Sequence, residues 1–168
     1  MEECRSDYDQ LIAPIEVRMM RTVWRVLGDA DEADEALQDA LVRIWKKLTR
    51  IRRANNPHAL ILRICADSAY DRLRKRIRHR EHHQQVPAEI ASIEPSPLRQ
   101  AESRESYSQI MDAIGRLSRN QAIAVMMRIV QEESYSTVAA ALNCGEASAR
   151  KHVARGRARL QQLVGDLQ

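Results

Sequence analysis

The chain has 168 residues, 44% of them hydrophobic and 30% charged, with five glycines, five prolines, no phenylalanine and a formal net charge of +4. That is apolar material for one domain or two small ones, and the scarcity of turn clusters and β-branched runs argues for helices over strands. No signal peptide opens the chain and no apolar run approaches the roughly 20 residues of a membrane span, so a cytoplasmic protein without membrane insertion is expected.

The first helix is expected to start near Ser6, which with Asp9 resembles a capping box with a shorter acid. Leu11, Ile15, Met19 and Val23 form its apolar stripe, Pro14 should kink or restart it, and Gly28 suits a C-terminal stop. A second helix is expected from Asp31 as N-cap, with Asp34 three residues on and Ala33, Leu37, Ala40, Leu41, Ile44 and Leu48 inward. The third has the best start signal: Asn56 can cap and Pro57 takes the first helical position, where its missing N–H costs nothing. Ile61, Ile64, Cys65, Leu73 and Ile77 should face inward.

Periodicity fails after about residue 80. Three prolines, Pro87, Pro95 and Pro97, stand in a polar stretch that reads as a linker. The organisation expected is an all-α fold of two small domains, 1–80 and 101–168, joined by a flexible linker at 81–100. Four helices are expected in the second domain. The first carries Tyr107, Ile110, Met111, Ile114 and Leu117. Ser118 caps the next, which puts Ala124, Val125 and Ile129 inside. A short helix follows Ser134, with Val138, Ala139 and Leu142. Asn143, Cys144 and Gly145 make a tight turn into a last helix from about Glu146 to Leu163. A short helix, a three-residue turn with Gly and a basic helix form a helix-turn-helix signature.

Charge is spread unevenly. Residues 29–39 hold six acids and no base, residues 74–80 five bases and no acid, and residues 147–164 five bases and no acid. One acidic and two basic surfaces suggest a protein partner plus a polyanion. On the last helix Ser148, Arg150, Lys151, Ala154 and Arg155 lie on or near the exposed face, where Arg can hold guanine and Lys or Ser can reach bases or phosphates. A solvated basic face is the plainer reading. The cluster from Arg72 to Arg80 suits phosphates, or simply solvent. Asp34, Glu35, Gln38 and Asp39 cover an exposed face with Trp45 beside it, which fits either a partner surface or ordinary helix capping.

No phosphate loop, nucleophile or metal motif is present, so no catalytic residue, cofactor or metal is expected. His79, His82 and His83 lack a Cys or clustered carboxylate and read as a solvated run. Cys4, Cys65 and Cys144 are odd in number and far apart; Cys65 should be a core residue, and Met126 and Met127 packing residues.

This order resembles the extracytoplasmic-function (ECF) sigma factors of bacterial RNA polymerase, over nearly the whole chain. Leu27-Gly28-Asp29 followed by Asp31 to Leu48 looks like that family's core-polymerase-binding helix. Ala59-Leu60-Ile61, Arg63-Ile64-Cys65 and Asp71-Arg72-Leu73-Arg74-Lys75 resemble the segment that melts and reads the −10 element. Leu117-Ser118, Gln121, Ser134-Tyr135, Val138-Ala139 and Leu142 keep the family's register, and Ala147-Ser148-Ala149-Arg150 with Arg155 resembles its −35 recognition helix.

The resemblance implies that Asp34, Glu35, Gln38, Asp39, Arg43 and Trp45 bind the polymerase clamp helices. It places Arg72, Arg74, Lys75 and Arg78 at the −10 region, and Ser148, Arg150, Lys151, Ala154 and Arg155 at the −35 major groove. It implies core RNA polymerase and promoter DNA as partners, an anti-sigma factor as a further one, and a monomer when free. Four departures stand out: Leu60 for the usual Trp, Asp67 for Asn, Ser118 for Pro, and Ser136-Thr137 for two acids. The alternative is a dimeric, stand-alone helix-turn-helix repressor or activator, which predicts a palindromic site. A metal nuclease using Asp34, Asp39 and the histidines lacks a convergent partner motif.

Overall fold

The computed structural model describes residue 6, residues 8–83 and residues 98–165. All regular structure among these residues is helical. Residues 84–97 of the expected linker lie outside them. Its first residues, 81–83, end one long helix, and its last, 98–100, begin the next.

The chain enters through a π-helical turn (Tyr8–Ile12) and a 3₁₀ turn (Ala13–Ile15) before α1, Glu16–Leu27. The break falls at Pro14, which offers no N–H to a continuous helix. Ser6 is itself helical and its hydroxyl accepts from the Gln10 amide at 3.2 Å, so the capping box expected there does not form. Ile15, Met19 and Val23 are buried as their spacing requires. Gly28 stops α1 at φ 68°, the left-handed region that glycine enters without strain, and its N–H bonds the Trp24 carbonyl at 2.9 Å.

That reversal fixes the next start. Asp29, not Asp31, is the N-cap of α2 (Ala30–Lys46); its carboxylate accepts from the Glu32 N–H at 2.9 Å. In a run of acids several positions can cap, and the one directly after the left-handed glycine is already extended, at φ −121° and ψ 133°. Helix α2 stops at Lys46, so Leu48 opens a separate short helix α3 (Leu48–Arg52). Asn56 caps α4 (Pro57–His83) through the Ala59 N–H at 3.0 Å.

In the second half, α5 (Leu98–Gly115) leads to α6 (Arg119–Val125) with Ser118 as N-cap residue; its extended backbone serves the turn without a side-chain bond. The helix then widens into a π-turn, Met126–Val130. The extra residue per turn shifts the register, so Met126 and Met127 both face inward and Ile129 turns out to solvent, against the expected inward Ile129. Ser134 caps α7 (Tyr135–Leu142) by accepting from the Thr137 N–H, and Asn143 at φ 52° turns the chain into α8 (Glu146–Gly165).

Both halves share one core. Ile61, Leu62, Tyr70 and Leu73 of α4 belong to the same buried cluster as Ile114, Leu117, Ile123 and Met126. The Tyr70 hydroxyl, fully buried, donates to the Leu117 carbonyl at 2.7 Å. Cys65 is also in this core, and burial pushes its thiol up to about 12. A neutral, enclosed thiol is a poor nucleophile. In a Cys4→Ser background a thiol reagent is therefore expected to modify the half-buried Cys144 in the native state, and Cys65 only after unfolding. Native-state modification of both at the unfolded rate would mean that the core is open.

Candidate functional site

The helix-turn-helix gathers all five residues expected of the last helix on one exposed side. Ala149, Val153 and Gly156 of α8 are buried, while Ser148, Arg150, Lys151, Ala154 and Arg155 are exposed. Ser148, Lys151 and Arg155 follow one helical line, and Arg150 and Ala154 the next. The Arg150 guanidinium stacks over the Tyr135 ring, 4.2 Å from its centroid, and pairs with Glu146 at 3.6 Å. Arg128 approaches the same ring at 4.8 Å. Tyr135 and Arg128 were not among the expected site residues. The available signal was a tyrosine directly after the Ser134 cap, in a half whose one other aromatic is Tyr107.

The basic stretch of α4 divides by direction. Arg72 turns toward α2 and pairs with Glu35 and, at 3.3 Å, with Asp39. Partial burial lowers its pKa, but these two carboxylates outweigh that and raise it above the usual arginine value. Arg76 follows one turn on, bonding Glu32 and the Leu27 carbonyl, each at 3.2 Å. Arg74 lies over the Tyr70 ring at 5.8 Å. Lys75 and Arg78 are exposed and carry no ion pair among the described residues.

The acidic helix α2 divides in the same way. Asp34, Gln38 and Trp45 form an exposed stripe, to which Val42, 52% exposed, adds an apolar residue that the sequence reading passed over. The spacing 34, 38, 42, 45 was its signal. Glu35 and Asp39 sit toward α4 in the pairs with Arg72, and Arg43 bonds Asp71 of α4 at 2.9 Å. The six residues expected to bind polymerase thus fall on an open stripe and an internally paired flank.

Between the halves, Arg119 bonds Asp67 at 2.8 Å and Asp71 at 2.7 Å. Partial burial raises the Asp71 pKa, but the hydrogen bonds and charges of Arg119 and Arg43 outweigh it and hold the carboxyl below its usual range. Asp67 also meets Arg63 at 3.6 Å. A cleft of about 860 Å³ separates the α3–α4 turn from the α7–α8 turn, lined among others by Arg50, Arg53, Leu60, Arg63, Asn143 and Cys144. No helix among the described residues is long and apolar enough to cross a membrane.

Comparison with known proteins matches both halves in order. Residues 11–79 match the family model for sigma-70 region 2, and residues 107–160 that for sigma-70 region 4. The chain is 28% identical over 163 residues to an ECF RNA polymerase sigma factor, SigM, from two strains of Mycobacterium tuberculosis, covering 97% of this chain and 80% of that protein. Among solved structures, the sigma factor RpoE in complex with the anti-sigma factor NepR from Bartonella quintana aligns with a TM-score of 0.54 and 24% identity, over 95% of this chain and 97% of that one. CnrH in complex with the cytosolic domain of CnrY aligns with a TM-score of 0.55 and 18% identity, over 95% and 88% of the two chains. At these identities the two structures speak for the fold. With a region 2 and a region 4 matched in order and an ECF relative matched over 80% of its length, the chain belongs to the sigma-70 family as an ECF sigma factor, a transcription regulator that directs promoter-specific initiation.

Proposed function

We propose that the open stripe of α2, Asp34, Gln38, Val42 and Trp45, is the surface that docks on core RNA polymerase. Lys75 and Arg78 of α4, joined by Arg74, face the −10 element, and the exposed side of α8 reads the −35 element. The observation that carries this division is the pairing pattern: Glu35, Asp39, Arg43 and Arg72 pair between α2 and α4, whereas Asp34 carries no ion pair among the described residues and the exposed Arg150 pairs only with Glu146 of its own helix. A half-exposed Trp beside an exposed Val has the composition of an interface centre, with the acid at its polar rim. The chain works as a monomer without bond chemistry, in the cytoplasm, and an anti-sigma factor, as in the complex of RpoE with NepR, is a further partner.

The test is binding to purified core polymerase. Asp34→Arg and Trp45→Ala should each weaken it, with Trp45→Ala lowering affinity by roughly 30-fold if the residue is a central anchor. Asp39→Arg is a poorer probe, because it also removes one of the two carboxylates that pair with Arg72 and sets a like charge beside it. Wild-type affinity in both Asp34→Arg and Trp45→Ala would move the docking surface off this stripe.

A further inference from the structure

The turn from α3 into α4 carries cations that neither the polymerase stripe nor the DNA surfaces use. Residues 46–53 hold five Lys or Arg and no acid. Arg50 and Arg53, three apart and so on one side of that turn, are exposed and line the cleft of about 860 Å³ at the seam between the halves. Neither makes an ion pair or a side-chain hydrogen bond among the described residues. Arg63 lines the same cleft and is held in place. Its Nη1 donates to the Ala141 carbonyl at 2.8 Å and its Nε stands 3.6 Å from Asp67, with N–H donors left over. On the opposite wall Asn143, at φ 52°, presents an unpartnered carboxamide, and Asn55 presents another on the near wall. Leu60, Ala139 and Ala140 supply the apolar lining. Among the described residues no carboxylate and no aromatic ring lines the cleft.

Three guanidinium groups without a lining acid select an anion. Their planar forks match phosphate oxygens two at a time. The volume lies in the range of sites for organic ligands, roughly 300–1,000 Å³, and is far beyond what a lone phosphate fills. A carboxamide sets a donor beside an acceptor, the complement of a nucleobase edge, and a small apolar lining takes the face of a planar ring. Phosphates and a base together make a nucleotide. Its source is either a free nucleoside triphosphate or an unpaired nucleotide of DNA, and the cleft favours the first. A strand spreads its phosphates one to a nucleotide and is held by aromatic stacking. A free triphosphate gathers its charge at one end, as Arg50, Arg53 and Arg63 gather theirs in one cleft.

We propose that this cleft binds a free nucleoside triphosphate. The phosphates sit on Arg50, Arg53 and Arg63, and the base lies against Leu60 and the two alanines, its edge read by Asn55 and Asn143. Since no carboxylate lines the cleft to hold a cation, binding needs no Mg²⁺. The site stands on the cleft itself and does not rest on the docking and promoter surfaces proposed above.

The experiment uses the full chain in the Cys4→Ser background, with EDTA present. The probes are ATP and GTP, inorganic tripolyphosphate, and a short single strand of DNA. Titration calorimetry should show a single site for nucleotide, bound roughly tenfold tighter than tripolyphosphate or the strand. Saturating nucleotide should slow the labelling of Cys144, which lines the cleft, by several-fold. Arg50→Glu and Arg53→Glu should each weaken nucleotide binding roughly tenfold or more, the loss of a charge-assisted bond. Lys75→Glu, outside the cleft, should not. Asn143→Gly keeps the left-handed turn and removes only the carboxamide. It should shift the ratio of ATP to GTP affinity and leave tripolyphosphate binding unchanged. No nucleotide binding at millimolar concentration overturns the site, as does an equal loss in Lys75→Glu, which would mark a diffuse basic surface. Tripolyphosphate bound as well as nucleotide overturns the recognition of a base. A strand bound more tightly than nucleotide, with the same dependence on Arg50 and Arg53, overturns the free ligand in favour of DNA. Should an arginine variant fail to fold, protection of Cys144 in the parent decides: unchanged labelling under saturating nucleotide sinks the site.

Discussion

The Gly156→Val variant is expected to lose about 2–3 kcal/mol of stability and to melt roughly 5–10 °C below the parent, the cost of overpacking a closed core. Helix α8 crosses α6 at Gly156, where a Cβ would lie 2.6 Å from Val125 Cγ2 and 3.3 Å from the Gln121 carbonyl oxygen. The second contact is backbone and cannot rotate away. Valine adds two methyl groups to that Cβ and is stiff at χ1 inside a helix, so the helices must part. Because Arg150, Lys151 and Arg155 of α8 are the proposed −35 contacts, the same displacement should remove −35 binding. Thermal unfolding followed by circular dichroism reads the first effect. An unchanged melting temperature would show that α6 and α8 do not approach this closely.

Gly156 looks in the sequence like a residue inside a basic run, and nothing local marks it as a crossing point. Signals carried by adjacent residues were legible: the left-handed stop at Gly28, the Asn56-Pro57 start of α4, the Ser134 cap and the turn at Asn143. Each is settled within four residues, by a side-chain cap at Asn56 and Ser134 and by left-handed backbone at Gly28 and Asn143. The N-cap of α2 slipped by two because Asp29 and Asp31 are chemically equivalent, and only the geometry of the preceding glycine separates them. Ile129 was misplaced because a uniform helical period is blind to the π-turn after Val125.

The charge clusters show a different boundary. A run such as Arg72 to Arg80 reveals sign but not direction. Arg72 and Arg76 point at acids some 37 and 44 residues earlier, so part of the apparent DNA surface neutralises part of the apparent polymerase surface. Their pairing fixes α2 against α4 and leaves Asp34, Lys75 and Arg78 as outward charges. In the same way Asp67 departs from the family's usual Asn, and its partner, Arg119, stands 52 residues on across the seam. Periodicity locates faces, whereas the choice between a solvated and a paired charge is a long-range property of the fold.

On the proposed −35 surface, Arg150→Glu is expected to weaken binding to a −35 duplex by roughly 5- to 150-fold, the range for one good base contact. Tyr135 is expected to set the size of that contact. Its ring holds the Arg150 guanidinium at 4.2 Å while Arg128 approaches at 4.8 Å. Long arginine side chains lose rotamer freedom on binding, and one already stacked has less to lose. Tyr135→Leu should therefore cost roughly 2- to 5-fold in affinity, while Tyr135→Phe, which keeps the ring and loses only the hydroxyl, should stay near wild type. Lys151→Ala makes the contrast: a phosphate contact weakens all sequences alike and flattens the salt dependence. Anisotropy titrations at fixed salt, with the −35 base pairs varied one at a time, separate these cases. For Tyr135→Leu the loss should concentrate at the base pair that Arg150 reads. A uniform loss across all duplexes would mean that Tyr135 only supports the fold of the helix-turn-helix, and an equal loss in Tyr135→Phe would assign the effect to the hydroxyl.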